Sequence, residues 1–285
     1  MDANRFGLKC RPFPPMPDTA LYYPASTHEA ALAALERGIM QDEGIILLTG
    51  EPGTGKTLLG YLLLERQGKD IESAFLTNSH FADRAALLQA ILYDLGLDHS
   101  DASEQTLRLR LTDQLLKNVA AKKRTLIVVD EAHHLNADLL EELRLLANLE
   151  AGAGKAVQFV LLAQPRILEA LRQPGLESLQ QRVTVRATLG ALDVEEAYDY
   201  MLHHIRFAGA KPEKLFDEVA LDSIARGTHG VPRCLNQAMH QALVLAEEGE
   251  LPKVDAEAAL EALASLGMSV EEEAAELPSI QKFAA

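Results

Sequence analysis

Apolar residues repeat with two different periods along this chain, and the change from one to the other divides it. Up to about Leu189, short, largely apolar runs alternate with stretches whose apolar positions recur every three or four residues. The runs are Gly44–Thr49, Ile71–Thr77, Thr125–Val129, Val157–Leu162 and Val183–Ala187. Continuous hydrophobicity without polar alternation, clearest in Gly44–Thr49 and Thr125–Val129, predicts strands covered on both faces, as in a parallel sheet flanked by helices. Between them the helical period predicts helices at Lys56–Gln67, Ala82–Leu95, Ser103–Lys122, Ala137–Glu150 and Leu176–Arg182. Ser26-Thr27-His28-Glu29 reads as the start of another helix, with an acid in its first turn, continued by Ala30, Leu32, Leu35 and Ile39. Beyond Leu189 the strands stop. Val194–Phe207, Asp217–Thr228, Pro232–Glu247 and Asp255–Leu266 follow one another as helices, punctuated by Lys211-Pro212 and Gly230-Val231-Pro232.

The order predicts an α/β protein: a three-layer αβα core around a central, mainly parallel five-stranded sheet, followed by an all-helical domain. The expected divisions are an N-terminal extension over 1–43 packing on the core, a nucleotide-binding domain over 44–190, a helical lid over 191–268 and a flexible acidic tail over 269–285. The extension begins irregularly, because Pro12, Pro14, Pro15 and Pro17 each remove a donor and restrict the residue before them.

The chemistry begins where the first strand ends. Gly50-Glu51-Pro52-Gly53-Thr54-Gly55-Lys56-Thr57 is a complete P-loop, or Walker A sequence, set between a strand and a helix. Gly50, Gly53 and Gly55 let the backbone turn tightly enough for consecutive N–H groups, through Thr54 and on into the first helical turn at Leu58, to face phosphate. Lys56 can reach the β- and γ-phosphates, and the Thr57 hydroxyl can bind Mg²⁺. The third strand ends in Asp130-Glu131, a Walker B pair. Adjacent strand residues point opposite ways, so Asp130 is assigned to the Mg²⁺ shell and Glu131 to the attacking water as general base. The expected cofactors are therefore ATP and Mg²⁺, and the expected activity is ATP hydrolysis. Asp130-Glu131-Ala132-His133 also spells the tetrapeptide of a class of nucleic-acid helicases, but those need two RecA-like domains and this chain has room for one. His133 and His134 are residues of the turn after the strand or sensors of the γ-phosphate. No histidine–cysteine spacing resembles a metal site.

Composition narrows the rest. The chain has 285 residues, 48% apolar, with no tryptophan and two cysteines, Cys10 and Cys234. That leaves little for aromatic base-stacking platforms or a disulfide framework. No apolar segment reaches bilayer length, so no membrane insertion and a cytoplasmic location are expected. The formal charge is −15. Ten acids against two lysines lie between residues 247 and 285, including Glu271-Glu272-Glu273. An acidic body weakens the case for strong nonspecific DNA binding.

A P-loop core followed by a small helical domain resembles the AAA+ ATPases, and finer features narrow the likeness. Phe6-Gly7-Leu8, Pro12-Phe13, Pro17-Asp18, Leu21-Tyr22-Tyr23-Pro24 and Glu29-Ala30 resemble the opening of the ExeA/GspA-type general-secretion ATPases. So do Leu139–Glu150 after the acidic pair, Gln164-Pro165, Leu179-Gln180-Gln181-Arg182-Val183 and Gly230-Val231-Pro232-Arg233, in that order, over about residues 6–267. The resemblance implies a polar sensor at Gln164, where many AAA+ proteins have asparagine and where simple capping is the alternative. It implies an arginine finger at Arg182, with Arg172 and Arg186 as rivals, and a second sensor at Arg233. Tyr23, beside Tyr22 and Pro24, either flanks adenine or packs. It also implies a homo-oligomer assembled on ATP and an unidentified protein client. The soluble transposition ATPases of the MuB and TniB kind have a related core and act on duplex DNA. For that alternative the basic candidates are Arg108, Arg110, Lys117, Lys122, Lys123 and Arg124.

Overall fold

The computed structural model describes residues 6–68, 70–100, 102–151 and 154–269. The described residues separate into two compact units, one within 14–192 and one combining 6–13 with 193–269.

The first unit runs in the order α1 (Ser26–Met40), β1 (Ile45–Gly50), α2 (Lys56–Arg66), β2 (Ile71–Leu76), α3 (Arg84–Asp94), α4 (Glu104–Ala120), β3 (Arg124–Val129) and α5 (Ala137–Ala147). A two-strand hairpin, β4 (Glu150–Ala151) and β5 (Gly154–Lys155), precedes β6 (Gln158–Ala163), α6 (Ile167–Ala170), α7 (Glu177–Arg182) and β7 (Val183–Leu189). Five strands form one sheet in the order β2-β3-β6-β1-β7. Every ladder within it is parallel.

Strand residues point alternately to the two faces, and this builds the layers. Ile45, Leu47, Ile127, Val129, Phe159 and Leu161 pack with leucines of α3, α4 and α5. Their neighbours Ile46, Leu48, Leu126, Val128, Val160 and Leu162 pack with α1 and α2. β1 and β6 are buried at every position, as central parallel strands require.

Several helices start later than the apolar pattern predicts, because a polar residue caps them from outside. Asp83 and Ser103 each accept a backbone N–H of the first turn of α3 and α4. Asn136 caps α5 in the same way, and that helix begins at Ala137 as expected. The helix expected to reach Glu150 ends at Ala147. Glu150–Ala151 instead pairs antiparallel with Gly154–Lys155, and Asp42 Oδ2 accepts the Lys155 N–H at 2.7 Å.

The second unit holds α8 (Val194–Phe207), α9 (Pro212–Leu215), α10 (Glu218–Gly227), α11 (Pro232–Glu248) and α12 (Ala256–Ser265). Met201, Ile205, Leu221, Ile224, Leu235, Met239, Leu243 and Leu263 are buried there. Residues 6–13 group with these helices, whereas the sequence reading put all of 1–43 on the core. The reason is local: the Lys9 N–H donates to Ala208 O at 2.8 Å, and His204 Nδ1 donates to Pro12 O at 2.8 Å. Phe13 stacks on the His204 ring with centroids 5.5 Å apart. The expected acidic tail beyond Ser269, with its run Glu271-Glu272-Glu273, lies outside the described residues.

Candidate functional site

β1 ends at Gly50, and β6 beside it and β3 beyond β6 bring the rest of the site to the same edge. Thr49 pairs with Ala163 of β6, and Val129 of β3 pairs with Leu161. Residues just past these strand ends, the P-loop, Asp130 and Gln164, therefore share the C-terminal edge of three adjacent parallel strands. Such sheets bind ligands at that edge.

The loop needs its glycines for two different reasons. Gly53 and Gly55 have φ of 87° and 102°, in the left-handed region. Gly50 is needed for closeness, since a Cβ there would lie 2.7 Å from Leu189 O. Thr54 is buried and its Oγ1 donates to Glu51 O at 2.9 Å, fixing the turn. Lys56, the first residue of α2, is buried too. Its Nζ donates to Gly50 O at 2.9 Å and Glu51 O at 3.0 Å, so the ammonium is held over the cradle that its own loop makes. Leu58 is half-buried in the same first turn.

His28 was missed by the sequence reading as a site residue. It is buried on α1, and its Nε2 lies 2.9 Å from Thr54 O, so a protonated Nε2 donates to the P-loop backbone. The signal was present as Ser26-Thr27-His28-Glu29, but helix-start chemistry explained it without any reference to the loop.

Thr57 Oγ1 donates to Asp130 Oδ2 at 2.6 Å, and Asp130 Oδ1 accepts the Glu131 N–H at 2.8 Å. Burial raises the Asp130 pKa; the bonds from Thr57 and the Glu131 N–H and the Lys56 charge oppose that, while the Glu131 charge adds to it. A hydroxyl and a carboxylate this close are two hard oxygen donors, which suits Mg²⁺. The two acids do diverge. Glu131 has φ +52°, a left-handed conformation rare for a non-glycine residue. Its carboxylate is about two-fifths exposed, while Asp130 is buried.

Behind Glu131 stands His133, whose side chain is fully buried. The backbone N–H of Gln164 donates to His133 Nδ1 at 3.1 Å. His133 Nε2 lies 3.2 Å from Glu131 Oε2, within ion-pair distance but out of line for a hydrogen bond. Burial, with Arg166, His134, Lys56 and His80 adding, lowers its pKa to about 4, so the ring is neutral. Glu131, His133 and His134 also bring ligand atoms within 4.8 Å of one another. Two features disfavour a cation among them. Nδ1 of His133 is occupied, and the Arg166 guanidinium lies 3.3 Å from His134 Nδ1.

Arg182 is exposed at the end of α7, immediately before β7. Val183 pairs with Ile45, at the start of β1, and Leu189 pairs with Gly50. Arg182 thus lies at the opposite end of the sheet from its own P-loop, about 16 Å away at a strand rise of about 3.3 Å per residue. Of its rivals, Arg172 is exposed after α6, and Arg186 donates to Gln180 O at 3.4 Å. Tyr23 is half-buried just before α1, and Arg233 is exposed in the first turn of α11, in the second unit.

A family model for an AAA domain matches residues 39–171. General secretion pathway protein A of Aeromonas hydrophila is 38% identical over 242 residues, covering 85% of this chain and 44% of that protein. The chain belongs to the ExeA/GspA-like AAA ATPases. The Holliday junction branch migration complex subunit RuvB of Wolinella succinogenes is 25% identical over 248 residues, covering 83% of the chain and 63% of RuvB. This chain therefore spans less than two thirds of either relative. The Aeropyrum pernix ORC2 protein, solved as ADPNP-ADP complexes, shares the fold at a TM-score of 0.65 and 16% identity, covering 84% of this chain and 66% of that one.

Membership in the ExeA/GspA-like family fits the geometry at the strand edge, where Lys56 of the P-loop, Asp130-Glu131 and Gln164 follow the adjacent strands β1, β3 and β6. No helix among the described residues is long and apolar enough to cross a membrane.

Proposed function

We propose that this ExeA/GspA-like chain binds ATP with Mg²⁺ and hydrolyses it, and that nucleotide state governs self-assembly and the recruitment or remodelling of a protein partner. The observation that carries this reading is the divergence of the two acids. Asp130 is buried against Thr57, while Glu131 is turned toward solvent in a left-handed conformation. A non-hydrolysing binder has no use for a carboxylate held at such a backbone cost.

Each residue then has a task. The N–H groups of the glycine-rich loop and the first turn of α2 cradle phosphate oxygens. Lys56 gives up its bonds to Gly50 O and Glu51 O and supplies its charge to the β- and γ-phosphates. Thr57 and Asp130 would hold Mg²⁺, which supplies charge neutralisation of the phosphates when bound. Glu131 accepts the proton of the attacking water. Gln164 stands at the γ-phosphate side of the edge as a polar sensor. Tyr23 would flank the adenine. Arg233 serves as the second sensor, tying the helical unit to nucleotide. Arg182, remote from its own P-loop, serves a neighbouring subunit.

The test compares Lys56→Ala and Glu131→Gln. Loss of ATP binding in the first, and retained binding with turnover reduced at least about 100-fold in the second, supports the reading. Unchanged turnover in Glu131→Gln removes it.

A second reading, action on duplex DNA, draws on the RuvB relative, whose name describes a branch migration complex. Glu131→Gln with ATP·Mg²⁺ should be titrated with duplex across a salt series while particle size is followed. Binding that weakens with salt and accompanies assembly favours DNA. Assembly without duplex binding favours a protein client.

A further inference from the structure

We infer that His133 is the positioning residue that couples Gln164 to Glu131, so that the γ-phosphate sensor and the general base are set by one imidazole. The inference rests on the assignment of Glu131 as base, and it adds a residue to which neither the P-loop nor the acidic pair points.

The geometry makes the assignment directional. His133 Nδ1 accepts the Gln164 backbone N–H at 3.1 Å, and a neutral imidazole can accept on one nitrogen only. The proton therefore sits on Nε2, and Nε2 lies 3.2 Å from Glu131 Oε2. That N–H has no hydrogen-bond partner in this arrangement, although the side chain is fully buried. A buried donor without a partner is costly, and the Glu131 carboxylate, 3.2 Å away, is an acceptor that can relieve it. A small rotation of Glu131 completes the bond.

Glu131 has a reason to need this guide. Its φ of +52° is a strained state, fixed on the backbone side by its N–H to Asp130 Oδ1 and by the His134 N–H donating to Glu131 O at 3.0 Å. These bonds aim the main chain and leave the carboxylate free to turn. His133, in the turn after β3, supplies the missing restraint, and its ring is tied to the end of β6 by the Gln164 N–H. A shift of Gln164 at the end of β6, such as a polar sensor makes when its ligand changes, moves the imidazole and with it the base. The same arrangement explains why a second histidine, His134, is not interchangeable with the first: it is exposed, faces Arg166 and lies tilted against the His80 ring with centroids 4.1 Å apart.

The experiment measures turnover and the Kd of a non-hydrolysable ATP analogue in the full chain for His133→Leu, His133→Gln, Glu131→Gln and the His133→Leu/Glu131→Gln double variant. His133→Leu should lower kcat by roughly 10- to 100-fold, the usual cost of losing a group that orients a reacting side chain. The analogue Kd should stay within about twofold, because no binding group is touched. Gln, whose amide N–H reaches the Nε2 position but which leaves the Gln164 N–H without its acceptor, should restore part of the rate and not all of it. The double variant should be no slower than Glu131→Gln, since His133 acts only through that carboxylate.

Wild-type turnover in His133→Leu, or losses that multiply in the double variant, would overturn the coupling. Should His133→Leu fail to fold, His133→Asn takes its place: its shorter amide reaches only the Nδ1 position, so it should be slow where Gln is fast, and equal rates in the two overturn the proposal. Failure of Glu131→Gln to slow turnover would instead strike the proposed function, which separates the two.

Discussion

His28 belongs to α1 in sequence but to the P-loop in chemistry. Its Nε2 meets Thr54 O at 2.9 Å, and a Cβ on Gly55 would lie 3.3 Å from the same nitrogen. A buried bond of this kind contributes about 1 kcal/mol, close to a fivefold change in an equilibrium constant. His28→Ala should therefore weaken ATP binding roughly fivefold through a looser cradle, with turnover at saturating ATP little changed. Nucleotide titration of the variant checks this, and an unaltered Kd would show that the loop holds its shape without the imidazole. At this scale the P-loop, Asp130 and Glu131 were legible because phosphate and metal chemistry demand fixed residue types at short spacing. His28 and His133 were not assigned from sequence, since their partners lie 26 and 31 residues away, at Thr54 and Gln164. Only the fold brings those pairs together.

Between elements, α4 and α5 are joined by a pair that periodicity treats as ordinary surface charge. Arg108 Nε donates to Glu142 Oε1 at 2.9 Å and its Nη2 reaches both Glu142 and Glu104, while the Glu142 side chain is fully buried. This bond also removes Arg108 from the pool of residues free to meet DNA. Arg108→Ala leaves a buried carboxylate unpaired and should cost about 3 kcal/mol, at the low end for a broken buried pair because Arg108 itself touches water. Arg108→Leu with Glu142→Leu should recover most of that in a urea melt.

In the helical unit, burial lowers the His204 pKa to about 4 from 6.5, against the opposing bond to Pro12 O. A group whose pKa falls on folding binds fewer protons folded than unfolded. Its contribution is whole above 6.5 and declines as pH falls toward 4, by an amount on the order of 3 kcal/mol. Urea melts at pH 7.5 and 5 should show the wild type losing stability, and His204→Gln losing less. Helices and strands were legible here because their periods are local. The β4–β5 hairpin was not, because strands of two residues carry no period, and its hold on Asp42 crosses 113 positions.

For the molecule as a whole, the change from alternating strands and helices to helices alone marked the division near Leu189, and the units part at Leu192 and Asp193. What the pattern could not show is that residues up to Phe13 group with the far end of the chain, since an extended proline-rich segment has no face to read. The placement of Arg182 carries the largest consequence. It sits at the N-terminal end of edge strand β7, while its own P-loop sits at the C-terminal end of β1. An arginine so placed cannot serve its own γ-phosphate, so any catalytic role requires head-to-tail assembly, in which each site takes Glu131 from one copy and Arg182 from the next. Arg182→Ala and Glu131→Gln should each be nearly inactive alone. Mixed in equal amounts, the two variants should regain activity, because a Glu131 from one meets an Arg182 from the other at about a quarter of the interfaces of a randomly mixed head-to-tail assembly. A mixture as inactive as its parts, under conditions where both variants assemble, would assign the finger elsewhere. Arg172 and Arg186 would then be tested by the same complementation.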